Sequence, residues 1–315
     1  MRFIDELLNT VPPQTEEKVE RAKTRFNQNI RKALRRETGV GLAYQLEDEK
    51  KNSVNIAISV VSGYPEAVLK KQETSDHPQL AKIIARWKPE IESMQYVLQF
   101  FNSNIIPAIR KSNCSDEISE SEESAIRTSE ELSTNLLSII QKYDIVDWIL
   151  KIDADVLGAY FFKRPAHIEL YWAVIGLVAQ SIGKSVEDLT VVVLAHELAH
   201  AYTHLGADID GSRWHTQEFA QAEHPLREGL AQYYTRLVCQ RLAFQMPDSL
   251  GTYEKLLQHQ PEAYKSHEPW IKEYSPEELR IALLEMRRKG DGKLTTFNTF
   301  LSKAKTTLRR VHKSS

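Results

Sequence analysis

The sequence predicts a mainly α-helical protein with a small β-sheet, an α+β fold. Most apolar residues recur at the three- and four-residue spacing that is typical of amphipathic helices. Two short apolar runs, 156–162 and 167–171, flank a Lys-Arg-Pro turn and are typical of paired strands. Strong helix-start signals at Ser185 and Ser275 indicate that the second half of the chain is largely helical.

Composition limits the class of protein. The chain has 315 residues, of which 42% are hydrophobic, so it is long enough for two domains with real cores. A net charge of −2 argues against a nucleic-acid-binding or membrane-surface protein, and no apolar run approaches the roughly 18 residues of a spanning helix. Acidic residues near the N-terminus argue against a signal peptide, and two cysteines are too few for a disulfide framework. We therefore expect a cytoplasmic protein.

The N-terminal half shows helical patterns without a chemical motif. Residues 14–37 predict an amphipathic helix that carries eight basic residues and four glutamates, and we interpret its polar face as solvated or as a docking face for a protein partner. Alternating residues in 53–63 predict a strand, although a short buried helical turn stays open as an alternative. A long helix is expected over 80–110, with interruptions at Pro89 and Pro107.

The stretch 112–131 is rich in serine and glutamate and is interpreted as a linker or an exposed helix start, followed by a helix from about Glu130 to about Trp148. The sequence thus predicts a helical N-terminal region of unknown role, residues 1–125, and a second domain over residues 126–315. The further helices expected in that domain are 173–182, 186–205, a helix that starts at Pro225, 276–288 and a basic C-terminal helix.

The helix expected over 186–205 carries the motif His196-Glu197-x-x-His200. At about 100° per residue the two histidines lie roughly 40° apart on one helical face, so both can bind one zinc ion. Glu197 is adjacent but off their axis, where it can act as a base towards a water molecule. Leu194, Leu198 and Tyr202 recur on the opposite side, and we expect that side to be buried and the other to hold metal.

A catalytic zinc site needs a third protein ligand and an open position. Glu228 is the best candidate. In the helix predicted after Pro225, it lies on the side away from Leu226, so its side chain can face a neighbouring helix. Other residues stay open as third ligands. These are Asp208, Asp210, His215 and His224, and the last two are also open as oxyanion donors.

The motif followed by Glu228-Gly229-Leu230-Ala231 resembles the gluzincin group of zinc metallopeptidases, over roughly residues 145–245. The resemblance implies a zincin-like domain in which His196, His200 and Glu228 bind Zn²⁺ and Glu197 is the general base. The chain departs from the pattern at Gln232, where some of these enzymes have an aspartate that braces a ligand histidine, and no residue clearly matches their transition-state donor.

These observations predict a zinc peptidase that hydrolyses peptide bonds of a peptide or protein substrate. The alternatives are a non-catalytic, zinc-stabilised interaction or regulatory protein and a helical interaction protein in which the motif is accidental. We expect Gly158-Ala159-Tyr160 to form either a sheet edge that receives extended peptide or an ordinary core hairpin.

The remaining candidates are interpreted mainly as structural residues. His204 is expected at the helix end, either beside the site or at the surface, and His167 is expected on a strand surface. Packing roles are the default for four further residues, which would otherwise serve as oxyanion donors or specificity residues: Tyr233, Tyr234, His267 and Trp270.

Overall fold

The structure is a computed structural model that describes residues 11–42, 56–65, 90–111, 119–142, 156–163 and 165–314. It confirms a mainly helical protein with a small three-stranded sheet. The elements are, in chain order, α1 (Gln14–Thr38), β1 (Ala57–Val61), α2 (Ile106–Lys111), α3 (Glu120–Lys142), β2 (Gly158–Phe161), β3 (His167–Tyr171), α4 (Trp172–Ser181), α5 (Val186–Leu205), α6 (Thr216–Gln221), α7 (His224–Arg241), α8 (Ser249–His259), α9 (Glu262–Lys265), α10 (Glu268–Glu273), α11 (Pro276–Lys289) and α12 (Leu294–Ser314).

The chain divides into two compact units. One consists of Met1–Leu7 with Lys71–Ile149, and the other of Leu8–Lys70 with Leu150–Ser315. By this division α1 and β1 belong with the segment that carries the His-Glu-x-x-His motif. The domain boundary expected after residue 125 stays a prediction; residue 125 itself lies within α3.

The described residues of the first unit, 90–111 and 119–142, form two helical segments. Residues 90–100 are helical and continue through a π-helical turn, Phe101–Ile105, into α2, so the interruption expected at Pro107 is a change of helix type. Ser119 starts α3 through reciprocal capping with Glu122, which confirms the helix-start interpretation of the acidic stretch. The expected break at Pro89, residues 112–118 and the expected helix end at 143–148 lie outside the described residues.

The second unit is built around α5. Ser185 caps this helix by accepting a hydrogen bond from the Asp188 backbone N–H, as its sequence predicts. The expected burial of the Leu194, Leu198 and Tyr202 side is confirmed, and burial extends around the whole helix from Asp188 to His204. The helices α1 and α7 pack against it most extensively, and β2 also contacts it. The face that carries the two histidines is therefore turned towards protein.

The helix α1 is fixed to α5 by a buried hydrogen bond, which the Tyr202 hydroxyl donates to the Arg31 carbonyl oxygen over 3.0 Å. The sheet of this unit has the order β1-β3-β2, with β1 parallel and β2 antiparallel to β3. The strand expected within 53–63 is therefore confirmed as β1, while residues 53–55 lie outside the described part of the chain. Throughout that part, no helix is both long and apolar enough to cross a membrane.

Candidate metal centre

The helix α5 brings the two motif histidines together. His196 and His200 lie one turn apart, and their Nε2 atoms are 3.1 Å from each other. Their rings meet almost perpendicularly, with centroids 4.7 Å apart. Both side chains are buried, with exposed fractions of 8% and 5%. Two nitrogen atoms thus lie close together at a position that is buried in protein.

The helix α7 supplies Glu228 at that position. Pro225 lies in its first turn, where a missing N–H costs no helical hydrogen bond, and Glu228 follows one turn later. Glu228 Oε2 lies 3.2 Å from His196 Nε2 and 3.3 Å from His200 Nε2. Within the described residues, these three side chains form the group of His, Cys, Asp and Glu that could hold a metal ion.

The geometry of the three atoms fits a zinc ion. A tetrahedral zinc ion with bonds of about 2.0–2.1 Å separates its ligands by about 3.3–3.4 Å, close to the three measured separations. Among the described residues, none donates a hydrogen bond of normal geometry to Glu228 Oε2. The donor set of two imidazoles and a carboxylate is also one that zinc prefers.

The Glu228 carboxyl group is held as a carboxylate. Burial opposes its ionisation, but the charge of His200 and polar contacts from His196, His200 and His224 outweigh burial and hold its pKa well below the usual range. His224 makes its contact on the other oxygen, with Nε2 lying 3.3 Å from Glu228 Oε1. A carboxylate at this position offsets part of the charge of a divalent cation.

Glu197 lies at the interface of α5 and the sheet. Its side chain is buried, and strand β2 approaches it at Gly158. A Cβ atom built on Gly158 would lie 3.0 Å from Glu197 Cγ and 2.8 Å from Val193 Cγ1, so only glycine permits this spacing. The sequence does not reveal this contact, because a glycine in a short strand gives no sign of what it faces.

The buried His204 fixes the same strand to α5. The Tyr160 hydroxyl lies 2.9 Å from His204 Nδ1, and His204 Nε2 lies 3.1 Å from Thr216 Oγ1. Burial, with smaller contributions from nearby basic groups, lowers the pKa of His204 to about 3, so the imidazole is neutral. The surface position considered for His204 is wrong, and its partnered nitrogens give it a positioning role towards β2.

The four alternative third ligands lie outside the group formed by His196, His200 and Glu228. Asp208 and Asp210 both form ion pairs with Arg288, whose Nη2 lies 2.6 Å from Asp208 Oδ2 and 2.9 Å from Asp210 Oδ2. His215 is exposed at the start of α6. His224 reaches the site, but through Glu228 Oε1. None of these four belongs to the group that could hold a metal within the described residues.

His267 and Trp270 are buried packing residues. His267 Nε2 lies 2.7 Å from the Tyr253 hydroxyl and its Nδ1 lies 2.9 Å from the Tyr264 carbonyl oxygen, while Trp270 donates a hydrogen bond to Asn298. Burial lowers the pKa of His267 to about 4.

Four other residues that the sequence singled out pack or hydrogen-bond within the fold. Tyr233 and Tyr234 are buried in α7, and burial raises the pKa of both hydroxyls. His167 stacks on Phe161 at the sheet surface, with ring centroids 4.6 Å apart. Gln232 donates a hydrogen bond to Gln260 over 3.0 Å.

Tyr264 is a site residue that the sequence analysis missed. Its ring lies nearly parallel to that of His196, with centroids 5.9 Å apart, and edge-on to that of His224 at 6.0 Å. It belongs to the short helix α9, which packs against α7. No spacing in the sequence connects so short a helix with the motif, so only tertiary packing shows that it covers the site.

Comparison of the chain with protein families, with curated proteins and with solved structures finds no match.

Proposed function

We propose that the chain is a zinc-dependent peptidase with a gluzincin-type site, in which His196, His200 and Glu228 bind the metal. The observation that carries this proposal is the triangle of Nε2, Nε2 and Oε2 atoms with sides of 3.1, 3.2 and 3.3 Å. Three protein ligands leave one tetrahedral position for another group, as catalytic zinc sites do and structural ones do not.

A zinc ion held there would supply Lewis acidity, which polarises a carbonyl group and makes water nucleophilic near neutral pH. Glu197, next to His196 on α5, accepts the proton of the attacking water and later donates it to the leaving amine. Glu228 would contribute the one negatively charged ligand of the set. The oxyanion donor in this proposal is not assigned to a residue.

An extended peptide fits the edge of strand β2. Within the described sheet β2 is a terminal strand, because the order is β1-β3-β2, so one of its edges has backbone groups that no other strand pairs. Gly158 brings this strand against Glu197, and Tyr160 ties it to α5 through His204. A substrate added to β2 would thus extend along the element that directly contacts the proposed base.

Burial of the ligands favours a second candidate function. The side chains of His196, His200 and Glu228 are exposed by only 5–8%, which also suits a metal site that stabilises a protein surface without catalysis. A structural site has no use for a buried carboxylate such as Glu197 beside it, and this residue favours the peptidase.

Peptide hydrolysis by the zinc-loaded protein tests the two candidates. We expect Glu197→Gln to keep its zinc and to lose cleavage of a peptide library by roughly 10²–10⁴-fold, the contribution of a general base. Glu187→Gln, in the first turn of the same helix, is the matched control and should cleave normally. Normal cleavage by Glu197→Gln would refute the base assignment, and no cleavage by a zinc-loaded wild type would favour the non-catalytic function.

A further inference from the structure

The two oxygen atoms of Glu228 have different surroundings. Oε2 faces both motif histidines, at 3.2 and 3.3 Å from their Nε2 atoms. Oε1 lies 3.3 Å from His224 Nε2. The two oxygens of the carboxylate thus have different neighbours: the proposed metal position for Oε2 and the His224 imidazole for Oε1.

The position of His224 follows from the helix that also carries Glu228. The two residues are four apart in α7, so their side chains are neighbours on one face, and His224 occupies the first turn. Tyr264 packs edge-on against the His224 ring and stacks on the His196 ring. His224 is more accessible than the ligands, with 28% of its side chain exposed, so it lies at the rim of the site.

We infer that His224 is a positioning residue that holds Glu228 Oε1 and thereby presents Oε2 alone to the metal. This inference rests on the proposed role of Glu228 as a ligand, and it does not depend on peptidase activity. A carboxylate with one oxygen held elsewhere binds a metal through the other, whereas an unheld carboxylate is free to rotate and bind through both. A second bound oxygen would occupy the position that a catalytic site keeps for water or substrate.

The consequence is measurable in metal affinity and coordination number. Residues that hydrogen-bond to a metal-binding side chain typically increase the metal affinity by roughly 10–100-fold. Loss of the His224 contact should therefore weaken zinc binding by roughly that factor. It should also raise the coordination number, which Co²⁺ reports because four-coordinate cobalt absorbs visible light more strongly than five-coordinate cobalt.

The test compares zinc affinity, by chelator competition, and the Co²⁺ absorption spectrum in four proteins. His224→Phe keeps an aromatic ring against Tyr264 and removes the nitrogen, and it should show weaker zinc binding and a weaker cobalt spectrum. His224→Gln keeps an N–H donor and should bind within a few-fold of wild type. His167→Ala removes another partly exposed histidine that lies 3.7 Å from a glutamate, Glu169, and should change nothing.

Each outcome decides the inference. Equal zinc affinity and the same cobalt spectrum in His224→Phe and wild type would overturn the positioning role while leaving the metal site intact. Equal losses in His224→Phe and His224→Gln would also overturn it, because a donor at this position would then not matter. A wild-type protein that binds neither metal would instead refute the proposed function, which separates the two failures.

Discussion

The substitution Gly158→Ala tests how closely strand β2 must approach the proposed base. Its new methyl group would lie 2.8 Å from Val193 Cγ1, 3.0 Å from Glu197 Cγ and 3.2 Å from the Glu169 carbonyl oxygen. Carbon atoms in proteins prefer separations of about 3.5–4.0 Å, so strand and helix must move apart by roughly half an ångström or more. The alanine therefore disturbs the position of Glu197 without touching a proposed metal ligand.

The magnitude follows from the overlap. Overpacking of this kind lowers the free energy of unfolding by about 1–3 kcal/mol. Replacing glycine with alanine also lowers the conformational entropy of the unfolded chain, which offsets about 0.4–1 kcal/mol of that loss. We therefore expect a net decrease of roughly 1–2 kcal/mol in the free energy of unfolding. A misplacement of about 1 Å at a catalytic group can cost roughly 10²-fold in rate. We expect peptide cleavage to fall by roughly 10–100-fold while zinc content is unchanged.

The assay combines denaturant unfolding, elemental analysis and peptide turnover on wild type, Gly158→Ala and a matched control. Gly251→Ala makes the same change in helix α8, where the nearest atom to the new methyl is Lys184 Nζ at 3.6 Å, an ordinary contact. The control should be neutral or more stable by about 0.5–1 kcal/mol. This prediction is refuted if Gly158→Ala has the same free energy of unfolding as the control and the same peptide turnover as wild type. The close approach of β2 to α5 would then affect neither stability nor activity.

Three further predictions concern stability and strand position. Tyr202→Phe removes the buried hydrogen bond to the Arg31 carbonyl oxygen and should lower the free energy of unfolding by about 1 kcal/mol in denaturant titrations; an unchanged value would show that this link between α1 and α5 contributes nothing. Tyr160→Phe removes the contact with His204 Nδ1 and should raise KM for peptides while zinc content stays constant, whereas an unchanged KM would argue against β2 as the substrate strand. The folded pKa of His267, about 4, lies below its ordinary value of 6.5, so between these values the unfolded state binds more protons and stability falls as pH falls, by about 1.4 kcal/mol per pH unit. His267→Gln should remove that contribution from a pH series of unfolding curves, and an identical slope in variant and wild type would contradict it.

The helices could be predicted because their signals are local. Ser185 with Asp188 and Ser275 with Glu278 predict helix starts, and both serines accept the expected hydrogen bond from the backbone three residues later. The full burial of α5 could not be predicted in the same way. It depends on α1, which is more than a hundred residues away and packs on the helix from the side.

The sheet and the surroundings of the site depend on long-range pairing. Strand β1 was recognisable by alternation, but its parallel register with β3, Ala57 opposite His167, links distant segments that carry no mutual signal. The pair His196 and His200 follows from helical periodicity alone, and Glu228 was reached by predicting a second helix. Tyr264 was out of reach, because its contact with His196 exists only once α9 packs on α7.

The most direct test of the central claim is the metal content of purified protein, wild type beside Glu228→Ala, by elemental analysis. Glu254→Ala, an exposed glutamate in helix α8, is the control. The proposed site predicts about one zinc per chain in wild type and control and a clear loss in Glu228→Ala. Zinc retained by Glu228→Ala would place the third ligand elsewhere, and no zinc in wild type, even after metal is added, would contradict the metal site altogether.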